Sequence, residues 1–296
     1  MIKNTGNKVC SAPLSLVVIT YNEEENIATC IESVFGWTSD IFVIDSYSND
    51  ATTQIAKNYT DKIYSHPFES FAAKRNWALD NLPFTYDWIF FLDADERFTP
   101  ELRNEIGEVL TGEEPCYSAF YINRAFFFMD RWLKHGGFYP SRLIKLIRRG
   151  RARLIDAGLR EYFKVDGQVG VLKQNLIHNS VKNLSWWIAK HNDYASKEAK
   201  ELLEKKGRTA LANAEKTGYL EASWRTHLRD IWNKIPMFIR PLILFSYRYI
   251  FRLGFLDGIP GLIYCFLHDL WYPFLIDAKC KEIQSKNASA ISLNRK

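Results

Sequence analysis

The chain has 296 residues, 47% of them hydrophobic and 25% charged, with 15 glycines and 10 prolines. That length buries a sizeable core, and the composition excludes a disordered, collagen-like or low-complexity protein. The formal charge is +5, and no run of eighteen apolar residues is free of charge, so no spanning helix is expected.

Residues 1–12 read as a polar tail with no apolar leader stretch, which predicts no cleaved secretory signal. Five cysteines (Cys10, Cys30, Cys116, Cys265 and Cys280) are scattered without a CxxC pair. That pattern suits a reducing compartment and speaks against a structural zinc or a disulfide framework.

Residues 13–180 read as one domain, whose first part, to about Tyr117, alternates strand with helix. Leu16–Thr20 is a short β-branched run ending in Tyr21-Asn22-Glu23. A helical pattern follows, with Ile27, Ile31 and Val34 on one face and Gly36 closing it. Ile41–Asp45 predicts a second strand. Ser48-Asn49-Asp50 then caps a helix that turns Ile55 and Ala56 inward. Trp88–Leu92 is a third apolar run, ending in Asp93-Ala94-Asp95. Runs apolar throughout suit strands covered on both faces, so the fold class is α/β, a parallel sheet with crossover helices. From Ser118 to Ser180 short strands are expected at Phe120–Ile122, Leu143–Ile147, Gly170–Leu172 and Leu176–His178.

Residues 181–296 read as a C-terminal helical region that associates with a membrane. Val181–Gly207 is amphipathic and rich in Lys and Glu. Between Trp224 and Arg252 stand Arg225, Arg229, Lys234, Arg240, Arg248 and Arg252 against Asp230 alone, and aromatics crowd the same end. Such a segment suits an interfacial helix at an anionic surface; a homodimer interface or an ordinary helical core is the other reading. Pro236, Pro241, Pro260 and Pro273 are expected to break it into helices too short to cross a bilayer.

In an open α/β sheet the ligand sits beyond the carboxyl ends of the strands. Three strands here end in polar residues at that edge: Thr20 to Glu23, Asp45-Ser46, and Asp93-Ala94-Asp95. Neither GxGxxG nor GxxxxGK[ST] occurs, so nucleotide phosphates need a holder other than a glycine loop. Two carboxylates one residue apart can present oxygens to Mg²⁺ or Mn²⁺ bridging a diphosphate. The bland alternative is that Asp93 and Asp95 cap a helix beginning near Thr99-Pro100.

Val18–Glu24, Val43–Thr52 and Phe91–Glu96, in this order and spacing, resemble the family 2 glycosyltransferases of GT-A fold. The branch most resembled contains the lipopolysaccharide core β-1,4-glucosyltransferases, over about Pro13 to Lys200. The resemblance implies that Thr20, Tyr21 and Glu23 line the nucleotide base and ribose, and that Asp45 hydrogen-bonds the uracil or its ribose. Phe71–Leu79 matches a stretch in which Arg75 and Asn76 face the nucleotide and diphosphate, while Lys74 replaces the usual Gln; a solvated helix face is the competing reading of Lys74 and Arg75. Asp93 and Asp95 then hold the sugar diphosphate and a divalent cation (Mn²⁺ or Mg²⁺), Asp95 most directly, with His178 as a further metal ligand. After Tyr139-Pro140, Arg148 and Arg149 read as structural or acceptor-facing. Gly158-Leu159-Arg160-Glu161 stands where the branch shows Val-His-Glu, so Glu161 fits the general base, with Asp156 in reserve. Arg160 replaces the His, and a basic neighbour is expected to lower the Glu161 pKa. Surface pairing of Glu161 with Arg160 or Arg153 is the alternative.

The resemblance thus implies an inverting, metal-dependent glycosyltransferase. It would move a sugar from a nucleotide-diphosphate sugar, a UDP-sugar, to a hydroxyl of a lipid-linked or lipopolysaccharide-type glycan. The basic tail would hold it, as a peripheral protein, to the cytoplasmic face of the inner or plasma membrane. Alternatives are a polyprenyl-phosphate sugar synthase, whose acceptor phosphate needs no base, and a non-catalytic nucleotide-sugar-binding scaffold at a membrane. Nucleic acid is not an expected partner, because a carboxylate-rich crevice repels phosphate without a metal.

Overall fold

The computed structural model describes residues 12–112, 117–156, 161–208 and 235–293. The expectations placed on Cys10, Cys116, the stretch 158–160 and the basic residues 225–234 lie outside the described residues. The chain divides into two compact units, Met1–Lys134 with Phe138–Val181, and His135–Gly137 with Lys182–Lys296.

The first unit is built on a nine-stranded sheet. Its path runs β3 (Ile63–Ser65), β2 (Asp40–Asp45), β1 (Leu14–Thr20), β4 (Trp88–Asp93), β8 (Ser141–Arg148), β6 (Tyr117–Phe128), β11 (Gln168–His178), β5 (Glu96–Phe98), with β7 (Arg131–Trp132) paired to β6. β3, β2, β1 and β4 run parallel. β8 joins antiparallel to both β4 and β6, and β5 antiparallel to β11, so the sheet is mixed rather than parallel throughout.

The parallel strands are apolar along their length because each face has its own core. Leu16, Val18, Phe90 and Leu92 point into one cluster with Ile27 and Ile31 of α1 (Ile27–Glu32) and Leu102 and Ile106 of α4 (Pro100–Thr111). Val17, Ile19, Ile89 and Phe91 point into the other, with Ala78 of α3 (Phe71–Asn81). A period-2 strand buried on both sides shows no alternation in its sequence.

The helix-cap alternative for Asp93 and Asp95 does not hold. Thr99, not Asp93 or Asp95, caps α4, its hydroxyl accepting from the Leu102 N–H at 3.1 Å, because β5 intervenes. Asp50 does serve α2 (Thr52–Ala56), accepting from the Thr52 N–H at 3.0 Å. A separate hairpin, β9 (Ala152–Asp156) with β10 (Glu161–Val165), packs by β9 on α3.

In the second unit α5 (Leu184–Arg208) packs on α8 (Tyr272–Leu293). α6 (Ile239–Ser246) continues as a π-helical turn over Tyr247–Phe251. A 3₁₀ turn, Gly254–Asp257, leads into α7 (Gly258–Tyr264), a π-helical stretch Cys265–Trp271, and α8. The prolines do not break this region as expected. Gly254–Asn287 is a run of 34 residues of successive helical turns without an intervening loop, long and apolar enough by length and composition alone to cross a membrane. Pro241 and Pro260 fall in the first turns of α6 and α7, where an amide N–H has no helical acceptor to lose. Pro273 is the second residue of α8, just past the π-helical stretch.

Candidate active site

The parallel register sets the site. Thr20 lies opposite Asp45 on one side of β1, and Ile19 lies opposite Asp93 on the other. The polar ends of β1, β2 and β4 are thus neighbours at one edge.

On the β2 side Asp45 is buried. It accepts from the Ser48 N–H at 2.7 Å and from the Ser48 hydroxyl, while that hydroxyl accepts from the Asn22 N–H at 2.7 Å. These bonds tie the β1 and β2 loops together. Asn22 (φ 52°) and Tyr47 (φ 59°) both hold left-handed backbone there, a conformation costly for non-glycine residues and concentrated at functional loops. Tyr21 and Tyr47 are exposed, and the buried Thr20 Oγ1 has no hydrogen-bond partner among the described residues. Glu23 has turned to its own helix start, where Oε2 accepts from Asn26 Nδ2 at 2.7 Å.

Lys74 is not on a solvated helix face. It is 1% exposed, and its Nζ donates to the Thr20 carbonyl at 3.0 Å and the Ser46 hydroxyl at 2.6 Å, spanning the ends of β1 and β2. Burial brings its pKa down to about 8, with Asp45 opposing the fall.

On the β4 side a chain of charges begins at Glu96, which is fully buried. Lys145 of β8 donates to Glu96 Oε2 and to Asp93 Oδ2, each at 2.7 Å. Arg75 Nη2 donates to Asp93 Oδ1 at 2.7 Å, and its Nη1 lies 3.7 Å from Glu161 Oε2. Burial alone would raise the Asp93 carboxyl; Lys145 and then Arg75 outweigh it and hold the group well below the usual carboxylate range. Burial pushes Glu96 up, against the pull of Lys145. Asp93, expected on the metal, therefore has both oxygens committed to cations.

Glu161 opens β10, opposite Asp156 of β9. Its Oε1 accepts from the Ala72 N–H in the first turn of α3 at 2.8 Å. Its pKa is raised, not lowered: burial outweighs the Ala72 amide and Arg75. Arg153 pairs with Asp80 instead, so surface pairing with Arg153 does not occur. Asn76 also departs from expectation, since its amide gives to the Leu154 carbonyl at 2.9 Å and accepts from the Leu154 N–H at 3.0 Å. Successive helical side chains diverge by about 100°, so Arg75 and Asn76 cannot face one ligand together. Arg149 is structural, donating to the Phe84 carbonyl at 3.3 Å.

Asp95 and His178 meet through strand pairing. β11 lies antiparallel to β5 with His178 opposite Glu96, which brings His178 Nε2 to 3.0 Å from Asp95 Oδ2. The other ring nitrogen, Nδ1, is buried and has no hydrogen-bond partner among the described residues. Among the described residues no group of three or more His, Cys, Asp or Glu side chains is arranged to hold a metal. A carboxylate beside an imidazole still fits a cation that takes its remaining ligands from water and substrate phosphate.

Lys145, Glu96 and the buried role of Lys74 were not singled out from the sequence. The signal for Lys145 was a lysine inside the apolar run Leu143–Ile147.

Residues 15–179 match the sequence model of Glycosyl transferase family 2. An uncharacterized glycosyltransferase of Rickettsia typhi is 27% identical over 291 residues, covering 94% of this chain and 90% of that one. The lipopolysaccharide core biosynthesis glycosyltransferase LpsC of Rhizobium meliloti is 28% identical over 204 residues, 65% of this chain and 72% of LpsC. Among solved structures, glucosyl-3-phosphoglycerate synthase from Mycobacterium tuberculosis, in complex with Mg²⁺ and UDP, is 22% identical at a TM-score of 0.30. It covers 39% of this chain and 43% of that one, a likeness too slight to bear on function. The family match runs from the first strand past the histidine that ends β11, and on that span the chain belongs to glycosyl transferase family 2: it is a glycosyltransferase.

Proposed function

We propose that the enzyme transfers a sugar, with inversion, from a UDP-sugar to a hydroxyl of a lipid-linked or lipopolysaccharide-type glycan at the cytoplasmic face of a membrane. The observation that carries this reading is the charge chain Glu96–Lys145–Asp93–Arg75–Glu161. It links the strand end where a donor diphosphate would lie to a carboxylate able to take the acceptor proton. The similarity to LpsC supports the acceptor class.

In this reading Asp45 and Thr20 hold the nucleoside, with Tyr21 and Tyr47 flanking it. Asp95 and His178 would hold a divalent cation, which when bound supplies charge neutralisation to the departing diphosphate. Asp93 fixes the Arg75 guanidinium, which stabilises the leaving group. Glu161, its basicity raised by burial, accepts the proton of the attacking hydroxyl. Asp156 stands beside it as the second carboxylate. One in-line displacement converts an α-linked donor to a β-glycoside, with no covalent sugar on the enzyme.

One observation favours the lipid-phosphate alternative. Glu161 accepts from an amide in the first turn of α3, which is also what a purely structural capping carboxylate does. Assaying the purified enzyme with a panel of nucleotide sugars, Mn²⁺ or Mg²⁺ and a membrane glycan extract separates the two. Glu161→Gln abolishes transfer to a hydroxyl but leaves transfer to a lipid phosphate largely intact.

A further inference from the structure

Around the turn that joins α6 to α7 and α8, the second unit buries three aspartates and exposes large apolar side chains. Asp257, Asp269 and Asp277 are all buried. Asp257 accepts from the His135 N–H at 2.9 Å and contacts its Nδ1 at 2.7 Å. Asp269 faces His268 Nδ1 at 2.8 Å and Arg248 Nε at 3.5 Å. Asp277 pairs with Arg240. Meanwhile Ile250, Phe251, Leu253, Phe255, Leu256 and Ile259 are exposed, Phe251 by 75% and Ile259 by 72%.

These six residues occupy the tip of a helical hairpin. α6 and its π-helical extension pack against Cys265–Trp271, and the chain reverses at Leu253 in left-handed backbone (φ 58°). Gly254 permits the close approach: a Cβ there would lie 3.0 Å from the Arg248 carbonyl and 3.1 Å from Cys265 Sγ. Within 250–259 only Arg252 exposes a charge.

Soluble proteins rarely leave such a contiguous apolar patch in water. Ionisable groups turned inward and paired are what hydrocarbon demands, and so are backbone groups with partners: at the turn the Arg252 and Leu253 amides donate to the Tyr247 and Ile250 carbonyls at 2.9 and 3.1 Å, and the Arg252 carbonyl accepts from the Gly136 N–H at 2.8 Å. We infer that the hairpin tip, residues 250–259, inserts into the acyl region of a phospholipid bilayer, with Arg252 reaching the lipid phosphates. This deepens the membrane association proposed above and rests on it. Surface attachment by basic residues needs anionic lipid and fails in salt, whereas an inserted apolar tip needs neither condition.

The test is flotation of the full chain with vesicles of phosphatidylcholine alone and of phosphatidylcholine with phosphatidylglycerol, each washed in high salt. Insertion predicts flotation with both vesicles and retention through the wash. Phe251→Asp with Ile259→Asp lowers partitioning about a hundredfold, while Phe251→Leu with Ile259→Leu keeps it. Flotation with anionic vesicles alone, released by salt, overturns insertion and leaves peripheral attachment standing. No flotation with either vesicle overturns both. A dimer that the aspartate pair dissociates, without vesicle binding by the wild type, overturns insertion in favour of an interface between copies.

Discussion

Arg75 and Glu161 are 3.7 Å apart, Nη1 to Oε2, and the same guanidinium donates to Asp93 at 2.7 Å. One cation thus couples the carboxylate at the end of β4 to the carboxylate at the start of β10. Arg75→Ala is expected to lower kcat by about 10²–10³, the usual cost of removing one preorganised donor from a developing charge. Arg75→Lys restores only part of it, because one ammonium cannot span both carboxylates as the guanidinium fork does. Steady-state kinetics with saturating acceptor checks both.

Glu161 has a raised pKa, and only its ionised form accepts a proton. Activity is therefore expected to rise with pH through a value above the ordinary 4.5 of a glutamate and to level off once the carboxylate is ionised. A pH–rate profile reads this directly. Glu161→Gln removes the acid limb along with most of kcat, while Asp156→Asn leaves the limb in place at a lower pH, since Asp156 helps to raise the Glu161 pKa.

Lys145 carries the stability prediction. Lys145→Met leaves Glu96 and Asp93 without their shared cation, and breaking a buried pair in this way costs about 3–5 kcal/mol. The sign with pH follows from Asp93, whose folded pKa is depressed. Its contribution is present above the unfolded value of 3.8 and is lost as pH falls through the folded value. The variant is expected to show a shallower acid loss than the wild type in urea titrations at successive pH values.

Lys74 gives the opposite slope. Its folded pKa of about 8 lies below the unfolded 10.5, so between those values the unfolded chain binds more protons and stability rises with pH. Lys74→Gln, which keeps a hydrogen-bond donor between Thr20 and Ser46, is expected to abolish that rise and retain the fold. Lys74→Met removes the donor to the Thr20 carbonyl and the Ser46 hydroxyl, although that carbonyl keeps the Ser46 N–H at 3.1 Å, and destabilises by about 1 kcal/mol. Denaturant titrations between pH 7 and 10.5 compare the three proteins.

The strands that frame the site were legible because each ends its apolar run in a carboxylate or hydroxyl: Thr20, Asp45, Asp93. His178 stood out only through the family resemblance, because a lone imidazole after Leu176 and Ile177 reads by itself as a core residue. β5 was not, since three residues hold as a strand only by pairing with β11, about eighty positions away. A separation of 52 residues hid Lys145, which reaches Asp93 only because β8 lies against β4. Local composition left a solvated face open for Lys74, yet the helix buries it under the strand ends. The prolines misled because their effect depends on position in a helix turn, which spacing alone does not reveal.

The most direct measurement is calorimetric titration of UDP into the purified protein with and without Mn²⁺, for the wild type, Asp95→Asn and His178→Ala. The account predicts cation-dependent binding by the wild type, and a Mn²⁺ requirement raised at least tenfold in both variants with unchanged thermal melts. UDP binding of equal strength with and without Mn²⁺, indifferent to Asp95 and His178, would contradict it.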